Sequence, residues 1–543
     1  MAAHILSRVA APQEHMSEDA PDVCIVGAGL AGGVLAFALA RRGVDVVVLE
    51  AGPRYPPSPR FAALAVALDG GDPWHVDPRR DAYTTAGGYS YPLNRMRVKG
   101  VGGTTLHWTA LTHRLQVSDF AMRTRYGQAA DWPIGYGDLE PFYGQAEMLL
   151  AVSGVADNPF ASPRTTDYAL PPFPYSYADE RLLVAAKRAG VVFHHAPYAR
   201  ALSINDGRPA CQAFGTCASH HICPIGAQYT SENHLTRAEE SGHARVVPDA
   251  RVVRIDVGPD DRVRTVTYVD ADGRQKEQAA SAFVLAAHAV ESARLLLLSK
   301  SGRFPEGLAN RSDMVGRHFM EHPGGYASGQ VDENMYPYRI GFHTAESQQF
   351  GDTAQRAEAA AFRLSVQNQP GPTPAGLAEE SGQWGGSLRD EIRERFGRNA
   401  GMLFFVEQLP DPENRVSLDP AVTDDLGDPV PRITFSIGEY ERAGHRNASR
   451  IMGDILEELG ATDIGMAREG DFTMCGHQIG TCRMGDDAEA SVVDRNLRAH
   501  GVENLFVVGS SVFVTAGPLN PSLTIAALAL RLAAHLSERG GRS

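Results

Sequence analysis

Two segments near opposite ends of the chain carry residues able to do chemistry. Near the N-terminus, Gly27, Gly29 and Gly32 stand between two apolar runs. In a strand-to-helix turn the first glycine permits the sharp turn. The second lets the backbone approach a pyrophosphate, and the third lets helix and strand pack closely. The helix N-terminus then offers free N–H groups and a positive dipole to phosphates. Glu50 ends the next apolar run, where a carboxylate accepts from ribose hydroxyls and repels a 2′-phosphate. This chemistry is dinucleotide binding, with NADP disfavoured. The motif alone does not separate FAD from NAD.

Near the C-terminus stand His477, in HQIGTCRMG, and Asn520, in GPLNPSLTIAALAL. An imidazole suits removal of a hydroxyl proton because its pKa lies near neutral. A neighbouring amide suits holding that hydroxyl. Each residue also has a plainer reading: His477 as a hydrogen-bonded structural residue, Asn520 as a helix N-cap with Pro521 at the first helical position. A third group is Cys211, Cys217 and Cys223, with five residues between each and the next and Pro224 after the last. Thiolates on irregular backbone with proline after the last suit an iron–sulfur cluster, and three ligands suit a three-iron, four-sulfur cluster. His220 and His221 intervene, so a zinc site is also open, as is a plain packing loop.

The elements that must position these groups span 543 residues, too many for one core. The balance of 43% hydrophobic and 21% charged residues is that of a globular protein. The formal charge of -14 argues against a nucleic-acid partner. Six cysteines are too few for a disulfide scaffold of this size. The most apolar stretch, 523–536, is too short to cross a membrane and contains Arg531 and His535. The first twenty residues lack the pattern of a signal peptide. Read alone, the chain is expected in the cytoplasm, or exported in complex with a partner that carries the signal.

Periodicity predicts a βαβ unit: strand 22–26, a helix from 34, strand 44–49. Residues 52–95, rich in Pro, Gly and Tyr, read as a long surface excursion. A second glycine turn holds Gly102, Gly103 and Thr104, followed by His107 and Trp108. A helix is expected over 138–152 with Asp138 as N-cap, a hairpin over 251–257 and 263–269, and a strand at 283–287 followed by a helix at 290–299. The more polar region 325–470 holds a helix near 388–396 and candidate strands at 402–406 and 432–437. The chain then returns to a strand at 505–508 and a helix from Pro521.

With VGAGLAGG, VGGTTLHW, DWPIGYGDLEPFYGQAE, DMVGRHFMEHP, HQIGTCRMG and NPSLTIAALAL in this order, the sequence resembles the glucose–methanol–choline oxidoreductase family from about residue 22 to 536. Within it the chain is most similar to flavoprotein subunits of bacterial sugar dehydrogenases, of the glucose dehydrogenase and gluconate 2-dehydrogenase type. GGTTLHWTA and GTCRMG also resemble pyranose oxidases.

The resemblance implies an α/β fold: a Rossmann-like FAD domain with an inserted substrate domain on an antiparallel sheet. The expected division is a tail at 1–20, FAD domain at 21–160, 205–320 and 470–543, and substrate domain at 161–204 and 321–469. It implies FAD as cofactor, held by Gly27, Gly29, Leu30, Ala31, Gly32, Glu50, Ala51, Gly102, Gly103, Thr104, His107, Trp108, Val252, Gly509, Ser510, Pro521 and Leu523. His477 becomes the base and Asn520 its partner, while hydride leaves a sugar carbon (C1, C2 or C3 of an aldose or glycoside) for flavin N5. His107 is either packed beside the flavin or covalently linked to it. His322, in FMEHP, is taken as structural. The family often has Asp two residues before Ser in the segment that is 508–511 here, so a backbone N–H or Ser510 must replace it at the ribityl chain. A three-iron, four-sulfur cluster on Cys211, Cys217 and Cys223 would pass electrons to a cytochrome subunit or a quinone-type acceptor, with a small partner subunit carrying an export signal. The alternative is a sugar oxidase that reduces oxygen to peroxide.

Overall fold

A computed structural model describes residues 20–58, 60–215, 221–368 and 370–540. The first nineteen residues of the expected tail, together with Cys217 and His220, lie outside the described residues.

Val23–Val26 is buried on both faces, which suits a central parallel strand. It lies between Val46–Leu49 and Ala282–Leu285, both parallel to it. Ala244–Val247 and Leu505–Val507 complete a five-stranded parallel sheet. The glycine turn leaves Val26 and enters helix Leu30–Ala40, buried from 31 to 40. That helix packs against Ser231–Glu240 and Ser522–Gly540. This one sheet therefore needs strands from near both ends of the chain.

A seven-stranded antiparallel sheet forms the second layer system. Its main path runs Thr462–Met466, Pro323–Gln330, Asn399–Val406, Phe362–Gln367, Ala345–Ser347, His194–His195, with Thr473–Met474 also paired to Pro323–Gln330. Alternation sorts its faces. Phe362, Leu364 and Val366 join Met402, Phe404 and Val406 in a core shared with Met452 and Ile455 of helix Glu439–Leu459. Arg363, Ser365 and Gln367 take the other side, opposite Phe405, Leu403 and Gly401.

The chain is thus α/β with a Rossmann-like unit and antiparallel sheets. Among the described residues no helix is long and apolar enough to cross a membrane. The expected hairpin forms as Arg251–Val257 and Val263–Val269. Three local expectations need correction. Residues 52–95 are not all surface: they hold helix Phe61–Leu68 and strand Thr84–Ala86, and Tyr91 and Leu93 are fully buried. Tyr91 goes inside because its ring fits edge-on against Phe319 and Phe435. Helix Tyr136–Leu150 has Gly135 as N-cap; Asp138 sits in its first turn and accepts the Gly135 N–H at 2.8 Å. The strand expected at 432–437 is Pro429–Thr434. It pairs with Arg415–Thr423 and Thr84–Ala86 in a separate three-stranded sheet.

A buried ionic cluster ties loop 116–121 to the antiparallel sheet. Arg356 bridges Asp119 (2.6 Å) and Glu407 (2.5 Å), all three buried. Removing the cation strands two carboxylates in the interior, a loss of about 3–5 kcal/mol. Arg356→Met is therefore expected to lower the thermal unfolding midpoint markedly. Adding Asp119→Asn and Glu407→Gln should recover most of the loss, as read by scanning fluorimetry.

Candidate active site

One cavity of about 810 Å³ runs between the glycine turn and the polar face of the antiparallel sheet. Its dinucleotide end is built by close backbone approach. Gly27 has φ +106°, and a Cβ there would lie 2.5 Å from the Ala286 carbonyl oxygen. A Cβ on Gly32 would lie 2.0 Å from the Gly27 carbonyl oxygen. At Gly29, by contrast, a Cβ would meet nothing within 4 Å, so the turn opens there. Gly29, Leu30, Ala31, Glu50, Ala51 and Val252 all border the cavity, whereas Gly32 packs inside the turn. Glu50 Oε2 accepts from Ala28 N (2.9 Å) and Oε1 from Gly52 N (2.9 Å). Burial lifts its carboxyl pKa against the pull of these N–H groups. The carboxylate borders the cavity, where it can also accept from a ribose hydroxyl.

Gly103, Thr104, His107 and Trp108 line the adjoining wall. Gly102 does not: at φ +109° it turns the chain into the short helix Gly103–Leu106 and packs on Leu106. Burial, then the neighbouring His221, pushes the His107 pKa down to about 3. Gly509, Ser510 and Pro521 line the opposite wall, and Leu523 is fully buried in the core behind it. Ser510 Oγ donates to the Gln478 carbonyl (2.5 Å) and can only accept from a ribityl hydroxyl. An open glycine cradle with an acidic ribose anchor, continuous with a wider chamber, fits a flavin dinucleotide. Sequence reasoning missed the ion pairs at this end. Arg97–Glu291 (2.5 Å) and Lys99–Glu291 (3.1 Å) border the cavity. Arg294–Asp424 (2.8 Å) fastens the 424–428 turn against it.

At the other end the candidate catalytic pair meets. Strand pairing of Pro323 with Met474 brings His322 beside His477, and the turn before helix Ser522–Gly540 brings Asn520. Asn520 Nδ2 lies 3.1 Å from His477 Nε2. His477 Nδ1 lies 2.8 Å from His322 Nδ1, and His322 Nε2 lies 2.5 Å from the Gly517 carbonyl oxygen. A carbonyl can only accept, so His322 carries its proton on Nε2 and accepts at Nδ1. His477 then donates from Nδ1 and presents a lone pair at Nε2, which receives the Asn520 N–H. Burial pushes the His322 pKa down to about 4. Burial, then His322 and Arg363, holds His477 well below the usual imidazole range. Asn520 Oδ1 is buried without a protein partner among the described residues. An alcohol entering here can donate to Nε2 and accept from the amide.

Glu321 fixes the backbone beneath both rings. Its Oε1 accepts from His477 N (2.7 Å) and His322 N (2.9 Å), and its Oε2 accepts from the Tyr91 hydroxyl. Burial lifts its carboxyl to about 6 despite these donors. Glu321, His322 and Tyr91 were not identified as site residues from the sequence. The run FMEHP was the available signal, and the structure brings its histidine into contact with the candidate base.

The cysteine loop stands apart from this pair. Cys211 and Cys223 are half-buried, and each Sγ accepts a nearby backbone N–H at 3.4 Å, from Ala213 and Gln228. Among the described residues no group of three or more His, Cys, Asp or Glu is gathered as a metal site. Arg208, 3% exposed, donates to the Leu150 carbonyl (2.9 Å) and forms no ion pair among the described residues. Burial lowers its pKa.

Comparison with known proteins agrees with this geometry. Family models described as GMC oxidoreductase match residues 176–324 and 410–529, and one described as NAD(P)-binding Rossmann-like domain matches 25–58. The fructose dehydrogenase large subunit of Gluconobacter japonicus is 34% identical over 94% of this chain and 97% of its own. The 2-methyl-1,2-propanediol dehydrogenase of Mycolicibacterium austroafricanum is 30% identical over 96% of each. The crystal structure of pyridoxine 4-oxidase from Mesorbium loti shares the fold, with TM-score 0.65 and 20% identity over 95% of this chain and 99% of that one.

His477→Ala is expected to lower kcat by about 10²–10⁴-fold with cofactor content unchanged. A base must be unprotonated to act, so activity is lost as pH falls. The lowered His477 pKa puts that acid limb below the ordinary imidazole value of about 6.5. In His322→Ala the limb should move up in pH and kcat should fall, because His477 loses both its acceptor and a cause of its lowered pKa. Profiles of kcat/KM against pH check both.

Proposed function

The chain belongs to the GMC (glucose–methanol–choline) oxidoreductase family, and we propose that this FAD-dependent oxidoreductase of CH–OH donors is the catalytic subunit of a sugar dehydrogenase. The observation that carries the reading is the His477–Asn520 pair, an imidazole lone pair held only by the Asn520 amide N–H, with an unpartnered amide oxygen beside it, at the end of a dinucleotide-sized cavity. His477 Nε2 takes the hydroxyl proton of the substrate. The Asn520 amide turns from Nε2 to the substrate oxygen and orients the carbon–hydrogen bond. The proton gained at Nε2 is shared through Nδ1–H with His322, whose own N–H rests on the Gly517 carbonyl. Bound FAD supplies the acceptor for the hydride, and the alcohol carbon leaves as a carbonyl.

The substrate is a sugar hydroxyl, a reading supported by the similarity to a fructose dehydrogenase large subunit. That relative's name describes one subunit of a larger enzyme, which supports a partner subunit here; the partners proposed are a cytochrome subunit and a small export-competent subunit. Location in the periplasm or at the inner membrane would come through those partners. Cys211, Cys217 and Cys223 would hold a three-iron, four-sulfur cluster, which takes up electrons singly. The competing reading is a sugar oxidase, in which His107 on the cavity wall would be the candidate for a covalent flavin link.

An anaerobic visible spectrum before and after D-fructose or D-glucose tests the proposal. Bleaching of the flavin band over a broad iron–sulfur background, with about three iron atoms per chain, is the expected result. Bleaching without iron, together with peroxide formation in air, would replace the dehydrogenase by the oxidase. A flavin-loaded protein that no sugar bleaches would remove sugars as substrates.

A further inference from the structure

Beyond the catalytic pair the cavity continues along the polar face of the antiparallel sheet. Strand Phe362–Gln367 alternates apolar and polar residues, and its apolar side is used up in the core against helix Glu439–Leu459. Its polar side ends in Gln367, which borders the cavity. The residue opposite is Gly401, where a Cβ would come within 3.0 Å of Gln367 Oε1, so the glycine makes room for the amide. Gln367 has no hydrogen-bond partner for its side chain among the described residues. Gln367 is half-buried; on the same lining His343 Nε2 is buried and has no partner among the described residues. A buried polar atom left unpaired costs about 1–3 kcal/mol, so such atoms are retained where something pairs with them.

The chemistry of that something follows from the two groups. Burial pushes the His343 pKa down to about 3, so its ring is neutral, with one nitrogen donating and the other accepting. An amide likewise does both. Groups of this kind match hydroxyls, which also donate and accept. The walls between them and His477 are aromatic. Phe342 is clamped by Phe173 (5.0 Å) and Tyr198 (4.9 Å), and Arg200 lies 4.5 Å over its ring. Phe405 stands 6.1 Å edge-on from His477, with Arg363 4.9 Å over its ring. Aromatic rings suit the C–H faces of a compact ring whose rim carries hydroxyls.

We propose that His343 and Gln367 form a hydroxyl-recognition subsite, which selects a polyhydroxylated substrate over a simple alcohol by binding hydroxyls away from the oxidised carbon. The proposal rests on the sugar reading above and assigns the residues that enforce it. A substrate lacking those hydroxyls leaves both groups unpaired, the situation in which a polar site discriminates most strongly.

The test compares kcat/KM of the FAD-loaded enzyme for whichever of D-fructose and D-glucose reacts faster, for its deoxy analogues, and for cyclohexanol. The wild type is expected to prefer the sugar over cyclohexanol by more than about 100-fold. In His343→Leu and in Gln367→Leu that ratio should shrink by at least about tenfold. One deoxy analogue should lose its handicap in each variant. His343→Gln and Gln367→Asn should restore part of the ratio, which a merely structural role would not produce. Flavin content verifies folding, and a leucine variant that fails to load is judged by its conservative partner. If the sugar preference persists unchanged in the variants, the subsite is overturned and the sugar reading stands. If the wild type oxidises cyclohexanol as well as any sugar, the sugar reading falls and takes the subsite with it.

Discussion

A buried imidazole can serve as a base only if its other nitrogen has a fixed acceptor. For His477, the candidate base, a second histidine supplies that acceptor and in turn needs an acceptor of its own. The Gly517 carbonyl ends the series, and because it cannot donate it sets the tautomer of both rings. Three separate segments must therefore meet within hydrogen-bonding distance: the start of strand Pro323–Gln330, the residues after Thr473–Met474, and the turn before helix Ser522–Gly540. The two sheets bring them together. The antiparallel sheet aligns the first two by pairing Pro323 with Met474. The C-terminal helix brings the third by packing on helix Leu30–Ala40, which also starts the dinucleotide cradle.

This arrangement buries polar groups at a cost that is offset locally. Glu321 is taken out of water but accepts two backbone N–H groups and the Tyr91 hydroxyl, so the carboxylate is held where it steadies both histidines. Asp119 lies against Gly517 and belongs to the Arg356–Glu407 cluster, linking the acceptor carbonyl to the interior of the antiparallel sheet. A position that looks like a connecting turn is thereby held as firmly as the core.

Residues whose function comes with their own local pattern were legible in the sequence. The glycine turn and Glu50 announce themselves by spacing, and the parallel strands by continuous apolar runs. His477 and Asn520 were legible through the motifs around them, and the geometry brings them within 3.1 Å. His322 was read as structural; its contact with His477, 155 residues away, is one that no local pattern encodes. Tyr91 hid in a Pro- and Gly-rich excursion that resembles surface but contributes a buried phenol. Gln367 sits in a strand whose alternation was available, yet which face meets a cavity is decided only when the sheet is assembled. The thiol chemistry was legible as a spacing, and Cys217 lies outside the described residues.

The order in which the ribosome delivers these parts has a consequence. The cradle at Gly27 emerges 493 residues before Asn520. At about 5–20 residues per second, the interval is roughly 25–100 s. Within it, from the synthesis of Leu285 to that of Leu505, 220 residues later, the edge of Ala282–Leu285 that will pair with Leu505–Val507 has no native neighbour. The nascent chain thus owns most of a nucleotide-binding surface long before it owns a base. An exposed strand edge needs shielding until its partner strand is made.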